Sequence, residues 1–522
     1  MLSSDFLKVP RTGRIIGILI FLLILGTFFS LISYSKKVDI LDYLSDPYLW
    51  NISLFTLKQS LLSTFISLVG AIPVALALHR RHFWGRSWLL KLCSMTFVLP
   101  SLVIVFGIVS IYGNTGLLQH LFPIKTFSIY GLPGILLAHV FFNLPLCVRL
   151  LTQSLTRIPL TQHQLAYHLG MNAWSKFKLI EWPIIKNQLF SIAPLVFMLC
   201  FTSFTIVMSL GGGPKATTIE VAIYQAIHYE FDLSAGAILG LWQILLTLIF
   251  TLVFQYMGKN TPQEAVSYVE KPLFISSPWL NFCDKLCLFI FVLFIIPPLL
   301  SVVVMGINTH IMQVLSDKVL WLATLHSVSI AFFSASFALL LGVAILFSSR
   351  IYRLKKQSHR AELLELSGMF ILVTPSVVLS TGLFLLCNHF IYAFDYAFPL
   401  VILVNTLMAL PYVLKNLSIP LLNVVENFEP LCLSLGMQGM SRWRLIEWRL
   451  VKEPFIYTFA LALILSLGDL SAIALFGSED FKTLPLYLYE QLGSYQMQGA
   501  AVTALLLFIL SLGVFTLLEK TG

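Results

Sequence analysis

The chain has 522 residues, of which 58% are hydrophobic and only 11% are charged, and its mean hydropathy is +0.88. Soluble domains carry about 25% charged residues, so this composition excludes a soluble enzyme. It predicts an all-α integral membrane protein in contact with lipid, and the formal charge of +9 then needs an explanation other than nucleic-acid binding.

Apolar runs long enough to form membrane-spanning helices occur twelve times along the chain. Six precede residue 258, at 15–34, 55–78, 92–112, 132–152, 190–210 and 234–256, and six follow it, at 286–306, 324–347, 364–387, 398–416, 455–476 and 498–518. The first run follows three basic residues, as in a signal peptide, but it lacks a convincing cleavage site. We interpret it as a retained first helix.

The positive charge is distributed unequally between the two sides of the membrane. With the N-terminus inside, the inner segments contain 26 Lys and Arg residues and the outer loops contain 6. Cytoplasmic loops carry such an excess in membrane proteins. The charge therefore indicates topology, with both termini in the cytoplasm, and not a nucleic-acid partner.

The sequence is also duplicated. Residues 169–182, LGMNAWSKFKLIEW, recur at 435–448 as LGMQGMSRWRLIEW, with eight of fourteen positions identical. The motif Pro100, Ser101, Gly107 likewise recurs as Pro375, Ser376, Gly382. Because each half contains an even number of spans, both halves cross the membrane in the same direction. We predict a first six-helix unit at 1–257, a cytoplasmic linker at 258–282 and a second six-helix unit at 283–522.

The repeated stretch belongs to a long cytoplasmic loop between the fourth and fifth predicted spans of each half. In the first copy Leu165, Leu169 and Ala173 recur at helical spacing, and Gly170 interrupts them where a helix can end and the chain can turn. This pattern predicts two short helices joined by a glycine turn, presenting an apolar ridge. No soluble domain of this chain receives the ridge, so we expect a separate protein partner.

The spacing resembles the signature of bacterial ABC importer permeases, which reads E-A-A, three residues, Gly, nine residues, Ile, any residue, Leu, Pro. Ala166, Gly170, Ile180 and Pro183 fit that signature. In the family this segment is the coupling helix that docks on an ATPase subunit. The resemblance implies coupling helices at about 160–171 and 425–437. The docking residues that it implies are Gln164, Leu165, Ala166, Leu169, Gly170, Met171 and Trp174 in the first copy, and Glu429, Leu435, Gly436 and Met437 in the second.

The chain departs from the signature at the acidic position. Gln164 replaces the family glutamate, and Pro430, Leu431 and Cys432 replace the whole E-A-A triplet of the second copy. We therefore expect the second copy to depend more strongly on its glycine. The repeated Glu181 and Glu447 lie outside the triplet, and we interpret them as structural residues.

Within this family the chain is most similar to the fused, two-half permeases of thiamine and thiamine pyrophosphate importers. The stretches that carry the similarity include LLAHVFFNLPL at 136–146 and TLPLYLYEQLGSY at 483–495. The resemblance implies two tandem type I permease units in the bacterial inner membrane, importing thiamine and thiamine phosphates delivered by a periplasmic binding protein. Two copies of an ABC ATPase would supply the energy.

The chain itself offers no catalytic or metal-binding constellation. The stretch GGGPKATT at 211–218 lacks the spacing of a phosphate-binding loop and falls on a loop that we place outside. We therefore expect no enzyme activity and no cofactor in this chain, with ATP and Mg²⁺ bound by the ATPase subunits.

Polar residues within the apolar spans are candidates for the translocation pathway, because they are costly in hydrocarbon. The candidates are Asn143, Asn405 and Asp469. The alternative for each is a hydrogen bond between packed helices.

Two other transporter classes remain as alternatives. Fused iron(III) ABC importer permeases share the six-plus-six plan and the repeated cytoplasmic signature. Major facilitator carriers also have twelve spans in two parallel halves, but they have no need of the repeated segment.

Overall fold

The computed structural model describes residues 10–35, 45–113, 116–117, 128–211, 213–257, 278–388, 393–437 and 439–521, and these residues contain helices and no strand. Before residue 258 the helices are α1 (Arg11–Ser35), α2 (Pro47–Arg80), α3 (Arg86–Val98), α4 (Ser101–Tyr112), α5 (Leu132–Leu155), α6 (Leu160–His168), α7 (Ala173–Lys176), α8 (Trp182–Phe201), α9 (Thr205–Leu210), α10 (Ile219–His228) and α11 (Leu233–Met257).

After residue 277 the helices are α12 (Pro278–Gly306), α13 (Ile311–Leu315), α14 (Lys318–Leu354), α15 (Ser358–Met369), α16 (Ser376–Asn388), α17 (Ala397–Ser434), α18 (Gly439–Arg442), α19 (Trp448–Leu467), α20 (Ser471–Phe476), α21 (Leu484–Gly493) and α22 (Met497–Thr521). Two π-helical turns, Phe177–Glu181 and Trp443–Glu447, lead into α8 and α19.

Within the described residues, ten helices are long and apolar enough to cross a membrane, and the count rises to twelve if two bent pairs each form one span. The predicted all-α membrane fold is thus confirmed. The bent pairs are α3 with α4, at 110°, and the helix ending at Leu372 with α16, at 96°.

Both bends coincide with a repeated proline. Leu99 and Thr374 leave the helical conformation, with ψ of 142° and 112°, and each precedes a proline. A proline ring disfavours the helical conformation in the preceding residue. The third and ninth apolar runs, predicted as continuous spans, are therefore each broken near Pro100 and Pro375.

One compact unit of the structure comprises residues 47–221 and 246–307. At its centre α2, α5 and α8 pack together, and α12 packs against α2 and α4. The approach of α12 to α4 is close at Gly107, where a Cβ atom would lie 2.4 Å from the carbonyl oxygen of Pro298. Only glycine fits this contact.

The other compact unit comprises α1, residues 222–245 and the described residues from Asn308 onward. Here α14, α17 and α19 form the centre, and α1 packs against α14, α15 and α16. At Gly382, the counterpart of Gly107, a Cβ atom would lie 2.8 Å from the Cβ of Thr27. The duplicated glycine accommodates the first helix of a sequence half in both units.

The compact units therefore differ from the two sequence halves. Helix α1 belongs to the unit built mainly from the second half, and α12 belongs to the unit built mainly from the first. The predicted boundaries at 257 and 283 remain a prediction about the duplicated sequence. Most of the predicted linker, residues 258–277, lies outside the described residues.

Candidate functional site

The first repeated segment, defined here as residues 160–182, has the predicted helix, glycine turn and second helix. Helix α6 ends at Gly170, whose φ is +61°. The N–H of Met171 donates to the carbonyl of Ala166 at 3.0 Å, and the N–H of Gly170 donates to the carbonyl of Tyr167 at 3.0 Å. These two bonds form a Schellman motif, which normally requires glycine at the left-handed position.

The second repeated segment, residues 426–448, ends its helix in the same way. Gly436 also has φ of +61°, and the N–H of Met437 donates to the carbonyl of Cys432 at 2.9 Å. Cys432 takes the place of Ala166, and both side chains are buried. A small buried residue at this position is what remains of the family triplet.

The segments differ in how their first helix begins. The first copy breaks at Pro159, which precedes α6. The second copy shows no break, because α17 runs continuously from Ala397 to Ser434. The coupling helix predicted at about 425–437 is thus the last part of a long helix and not a separate element.

An apolar surface is exposed along the repeated segments, as predicted. Leu165, Leu169 and Trp174 are more than half exposed in the first copy, and so is Leu435 in the second. Exposed apolar residues that the sequence analysis did not select are Tyr167, Leu179, Leu431 and Leu445. Their helical spacing and the duplication of Leu179 as Leu445 were signals that could have identified them.

A small pocket opens beside the exposed residues of the first segment. Tyr167, Met171 and Lys176 are among the residues that line it. Gln164 is exposed, whereas Met171 and Met437 are partly buried. The first segment thus presents both protruding apolar side chains and a recess.

Two residues predicted to dock a partner are buried instead. Ala166 lies beneath the turn of the first segment, and Glu429 is buried against Arg442 at the end of α17. Neither side chain faces outward, so both support the segments from within.

The repeated glutamate Glu181 forms a buried ion pair in the first segment. Its side chain is 1% exposed, and one carboxylate oxygen lies 2.5 Å from a guanidinium nitrogen of Arg80. Arg80 is the last residue of α2. The pair therefore connects the repeated segment to the end of a long helix in the same compact unit.

Glu447 repeats this arrangement in the second segment. It lies 3.1 Å from Arg350 near the end of α14 and 2.8 Å from Arg442. Arg442 also reaches Glu429 at 2.6 Å, so that these four side chains form an alternating network of charges. The interpretation of both repeated glutamates as structural residues agrees with these contacts.

The π-helical turns determine the direction in which the side chains of Glu181 and Glu447 point. The N–H of Trp182 donates to the carbonyl of Phe177, and the N–H of Trp448 donates to that of Trp443. Each bond spans five residues, one more than in an α-helix, so the turn changes the direction of the side chains on either side. Sequence periodicity alone gave no signal for these turns, although their duplication marks them as features of the fold.

The residues that surround the repeated glutamate differ between the two segments. His163 occupies the position of Glu429, and Lys176 that of Arg442. The His163 ring lies 5.8 Å from the ring of His79. Burial, reinforced by the charge of Lys176, lowers the pKa of His163 to about 4. His163 is therefore neutral at neutral pH.

The three pathway candidates each have a local contact. Asn143 donates to the Cys200 sulfur at 3.2 Å, and Asn405 donates to Ser466 Oγ at 2.9 Å. Asp469 accepts backbone N–H bonds at the start of α20. The contacts of Asn143 and Asn405 are the hydrogen bonds between packed helices considered as the alternative, whereas those of Asp469 are local to one turn. A role in the pathway stays a prediction for all three.

Comparison with known proteins agrees with this architecture. Residues 67–261 match the family described as binding-protein-dependent transport system inner membrane component. The chain is 44% identical to the thiamine transport system permease protein ThiP of Escherichia coli (strain K12), covering 95% of this chain and 93% of the relative. It is 42% identical to the protein of that name from Haemophilus influenzae, with 93% and 91% covered, and 38% identical to that from Brucella abortus (strain 2308), with 91% and 88% covered.

The chain therefore belongs to the family of inner-membrane permease components of binding-protein-dependent transport systems. It is a multi-pass membrane protein of the ABC importer class, and the predicted resemblance is confirmed.

Proposed function

We propose that this chain is the permease subunit of an ATP-driven importer for thiamine and thiamine phosphates. The observation that carries the proposal is the pair of repeated segments, each displaying apolar side chains and each attached by a buried glutamate to an arginine of a long helix. The choice of solute is supported by the relatives, which are named as thiamine transport permeases and match along nearly the whole chain.

Two copies of an ABC ATPase are the proposed partners on one side of the membrane, one for each repeated segment. ATP and Mg²⁺ bind to those subunits, and this chain contributes the surfaces that they engage. A periplasmic binding protein delivers the solute on the opposite side. In this arrangement both termini lie in the cytoplasm, in accord with the distribution of Lys and Arg.

The free energy that the repeated segments have to transmit favours apolar contacts between the segments and the ATPase. Moving a two-state transporter from 1:99 to 99:1 requires about 5.5 kcal/mol of differential binding. An exposed salt bridge contributes about 0 to 1 kcal/mol, whereas burying a large apolar side chain contributes about 1.5 to 3 kcal/mol. Leu165, Leu169 and Trp174 are therefore better suited than Gln164 to hold the first segment on its ATPase.

The buried ion pairs provide a route for the resulting motion. When the ATPase dimer closes, each repeated segment moves with the subunit that it contacts. Because Glu181 is paired with Arg80 in a buried setting, separating them would leave an uncompensated charge. The end of α2 is therefore drawn along with the first segment, and Arg350 transmits the same motion to α14.

Solute uptake tests the proposal directly. Cells lacking this chain should lose high-affinity uptake of labelled thiamine and regain it when the gene is restored, while iron(III) uptake should remain unchanged throughout. Loss of iron uptake with intact thiamine uptake would favour the fused iron(III) permease instead. Thiamine uptake that persists after depletion of ATP but collapses with the proton gradient would favour a secondary carrier.

A further inference from the structure

A tyrosine is duplicated in the short helix that precedes the last long helix of each sequence half. Tyr224 lies in α10 and Tyr489 in α21. Their positions are equivalent, because Thr218 precedes Tyr224 at the same distance as Thr483 precedes Tyr489. Both tyrosines belong to one compact unit, the unit that contains residues 222–245 and the described residues from Asn308 onward. The charge distribution predicts that both helices lie on the external side.

The two equivalent tyrosines lie close to each other. Burial raises the pKa of Tyr224, and the neighbouring Tyr229, Tyr489 and Glu490 add to the rise. The halves of a parallel repeat are related by an axis along the membrane normal, and equivalent residues can approach each other only near that axis. A pathway between the two halves follows the same axis. We therefore expect this pair of tyrosines at the external end of the pathway.

Tyr224 is also part of a cluster of aromatic rings. Its ring stacks on that of His228, with centroids 5.0 Å apart and planes inclined by 14°. The ring of Tyr229 meets both of them nearly at right angles, at 5.7 Å from Tyr224 and 5.2 Å from His228. Tyr224 is only 5% exposed, whereas the aromatic belts of membrane proteins lie at the interface with lipid. The cluster therefore belongs to the interior of the protein.

The rings of the cluster are uncharged. Burial lowers the pKa of His228, so its imidazole is neutral at neutral pH. Burial raises the pKa of Tyr489 to about 12, and the nearby Tyr229 adds to the rise, so the phenol keeps its proton. The faces of neutral aromatic rings carry a partial negative charge and attract cations. A cluster of this composition therefore suits a cationic ligand.

Acidic residues next to the rings favour the same kind of ligand. Glu230 follows Tyr229 and Glu490 follows Tyr489, and both carboxylates are exposed. Lys482 lies 2.7 Å from Glu490 and compensates its charge in part. Carboxylates at the mouth of a pathway raise the local concentration of cations. The electrostatics of the cluster and of its surroundings thus agree.

We propose that Tyr224 and Tyr489 recognise the positively charged thiazolium ring of the solute at the external end of the pathway, each with an aromatic face against the ring. This inference rests on the proposed import function, because it takes the solute from there. The thiazolium nitrogen carries no proton, so it cannot donate a hydrogen bond to a carboxylate or a carbonyl. Cations of this kind are typical ligands of aromatic cages.

The test compares thiamine with an analogue in which a neutral thiophene ring replaces the thiazolium. Binding of labelled thiamine, and competition by the analogue, are measured on the transporter with its ATPase in lipid nanodiscs, with ATP and vanadate and without the binding protein. The wild type should bind thiamine about 5- to 30-fold more tightly than the analogue. The Tyr224→Leu, Tyr489→Leu variant should lose this preference through weaker binding of thiamine, with binding of the analogue unchanged.

Two controls separate the rings from other effects of substitution. Tyr224→Phe with Tyr489→Phe keeps both aromatic faces and should keep the preference for thiamine. Tyr487→Leu removes a tyrosine from the same helix α21, whose hydroxyl donates to Asp317 at 2.9 Å, and should bind thiamine like the wild type. If the double leucine variant also loses the analogue and is misfolded, Tyr489→Leu alone serves instead, because Tyr489 is only half-buried. It should lose part of the preference.

The contrary outcomes separate this inference from the import function. A wild type that binds thiamine and the analogue equally, or binds neither, overturns the inference, and so does a folded leucine variant that keeps the preference. In each case the import function stands if proteoliposomes containing the wild type take up labelled thiamine when supplied with the binding protein and ATP. Absence of that uptake overturns both.

Discussion

Replacing the turn glycines of the repeated segments with valine tests their role as docking sites. In Gly170→Val and Gly436→Val a β-branched residue is forced to adopt φ of +61°. A Cβ atom at either position meets nothing within 4 Å, so the cost is backbone strain and not a steric clash. Such strain amounts to about 1 to 3 kcal/mol, which lowers the population of the native turn by roughly 5- to 150-fold relative to competing conformations.

Asparagine supplies the matched control, because its short polar side chain tolerates the left-handed conformation better than other non-glycine residues. We expect Gly170→Asn and Gly436→Asn to keep most of the activity. The valine variants should insert normally in the membrane, since the apolar helices are unchanged, but they should recover less ATPase on affinity purification and transport less thiamine.

The structure changes the expected order of severity. Loss of the E-A-A triplet suggested that the second segment depends more on its glycine. However, the ion pair between Glu429 and Arg442 bridges the turn at Gly436 and braces it from both sides. The first segment has His163 in place of that acid, so we now expect Gly170→Val to be the more severe change. Normal ATPase recovery and normal uptake in both valine variants would show that the repeated segments are not docking sites.

Three further predictions address the ion pairs, the pH dependence and the topology. Glu181→Gln leaves a buried arginine without its charge partner and should destabilise the protein by about 3 to 5 kcal/mol. Glu447→Gln removes the carboxylate between Arg350 and Arg442, of which Arg442 keeps Glu429, and should likewise lower the midpoint of thermal unfolding. The pKa of His163 is about 4 in the folded protein against 6.5 when unfolded, so between these pH values the unfolded state binds the proton more readily. Stability should therefore fall as the pH drops from 6.5 towards 4, and a His163→Gln variant should lose that part of the pH dependence of the thermal unfolding midpoint. Cysteines placed in 211–218 should react with an impermeant thiol reagent from outside and those in 171–178 should not, and the reverse pattern would contradict both the orientation and the docking.

Hydropathy and the repeat predicted much of the fold, because both depend on local sequence. The apolar runs identified the membrane helices, and the duplicated glycine identified the turn of each repeated segment. The bends at Pro100 and Pro375 were also present in the sequence as repeated prolines, but a window that averages hydropathy over about 20 residues does not register a single backbone restriction.

Other features depend on packing that local sequence does not encode. The positions of α1 and α12 depend on which surfaces these helices bury. The need for glycine at Gly107 and Gly382 becomes evident only when the atoms that lie close to them are known. Likewise, the partner of Glu181 is an arginine about a hundred residues earlier in the chain. A buried charge signals that some partner exists, without identifying it from the sequence.

The duplicated glutamates belong to the part of the repeated segments that is the same in both sequence halves. The residues beneath the turn differ between the copies, since His163 and Lys176 stand in place of Glu429 and Arg442. Three exposed leucines are the same, because Leu165, Leu169 and Leu179 recur as Leu431, Leu435 and Leu445. The glycine turn, the π-helical turn and the glutamate paired with an arginine near the end of a long helix are also the same in both copies. The two ATPase subunits that we propose as partners would therefore meet the same apolar side chains on both segments. They would also find the same attachment to a long helix, which is what an equal movement of both halves requires.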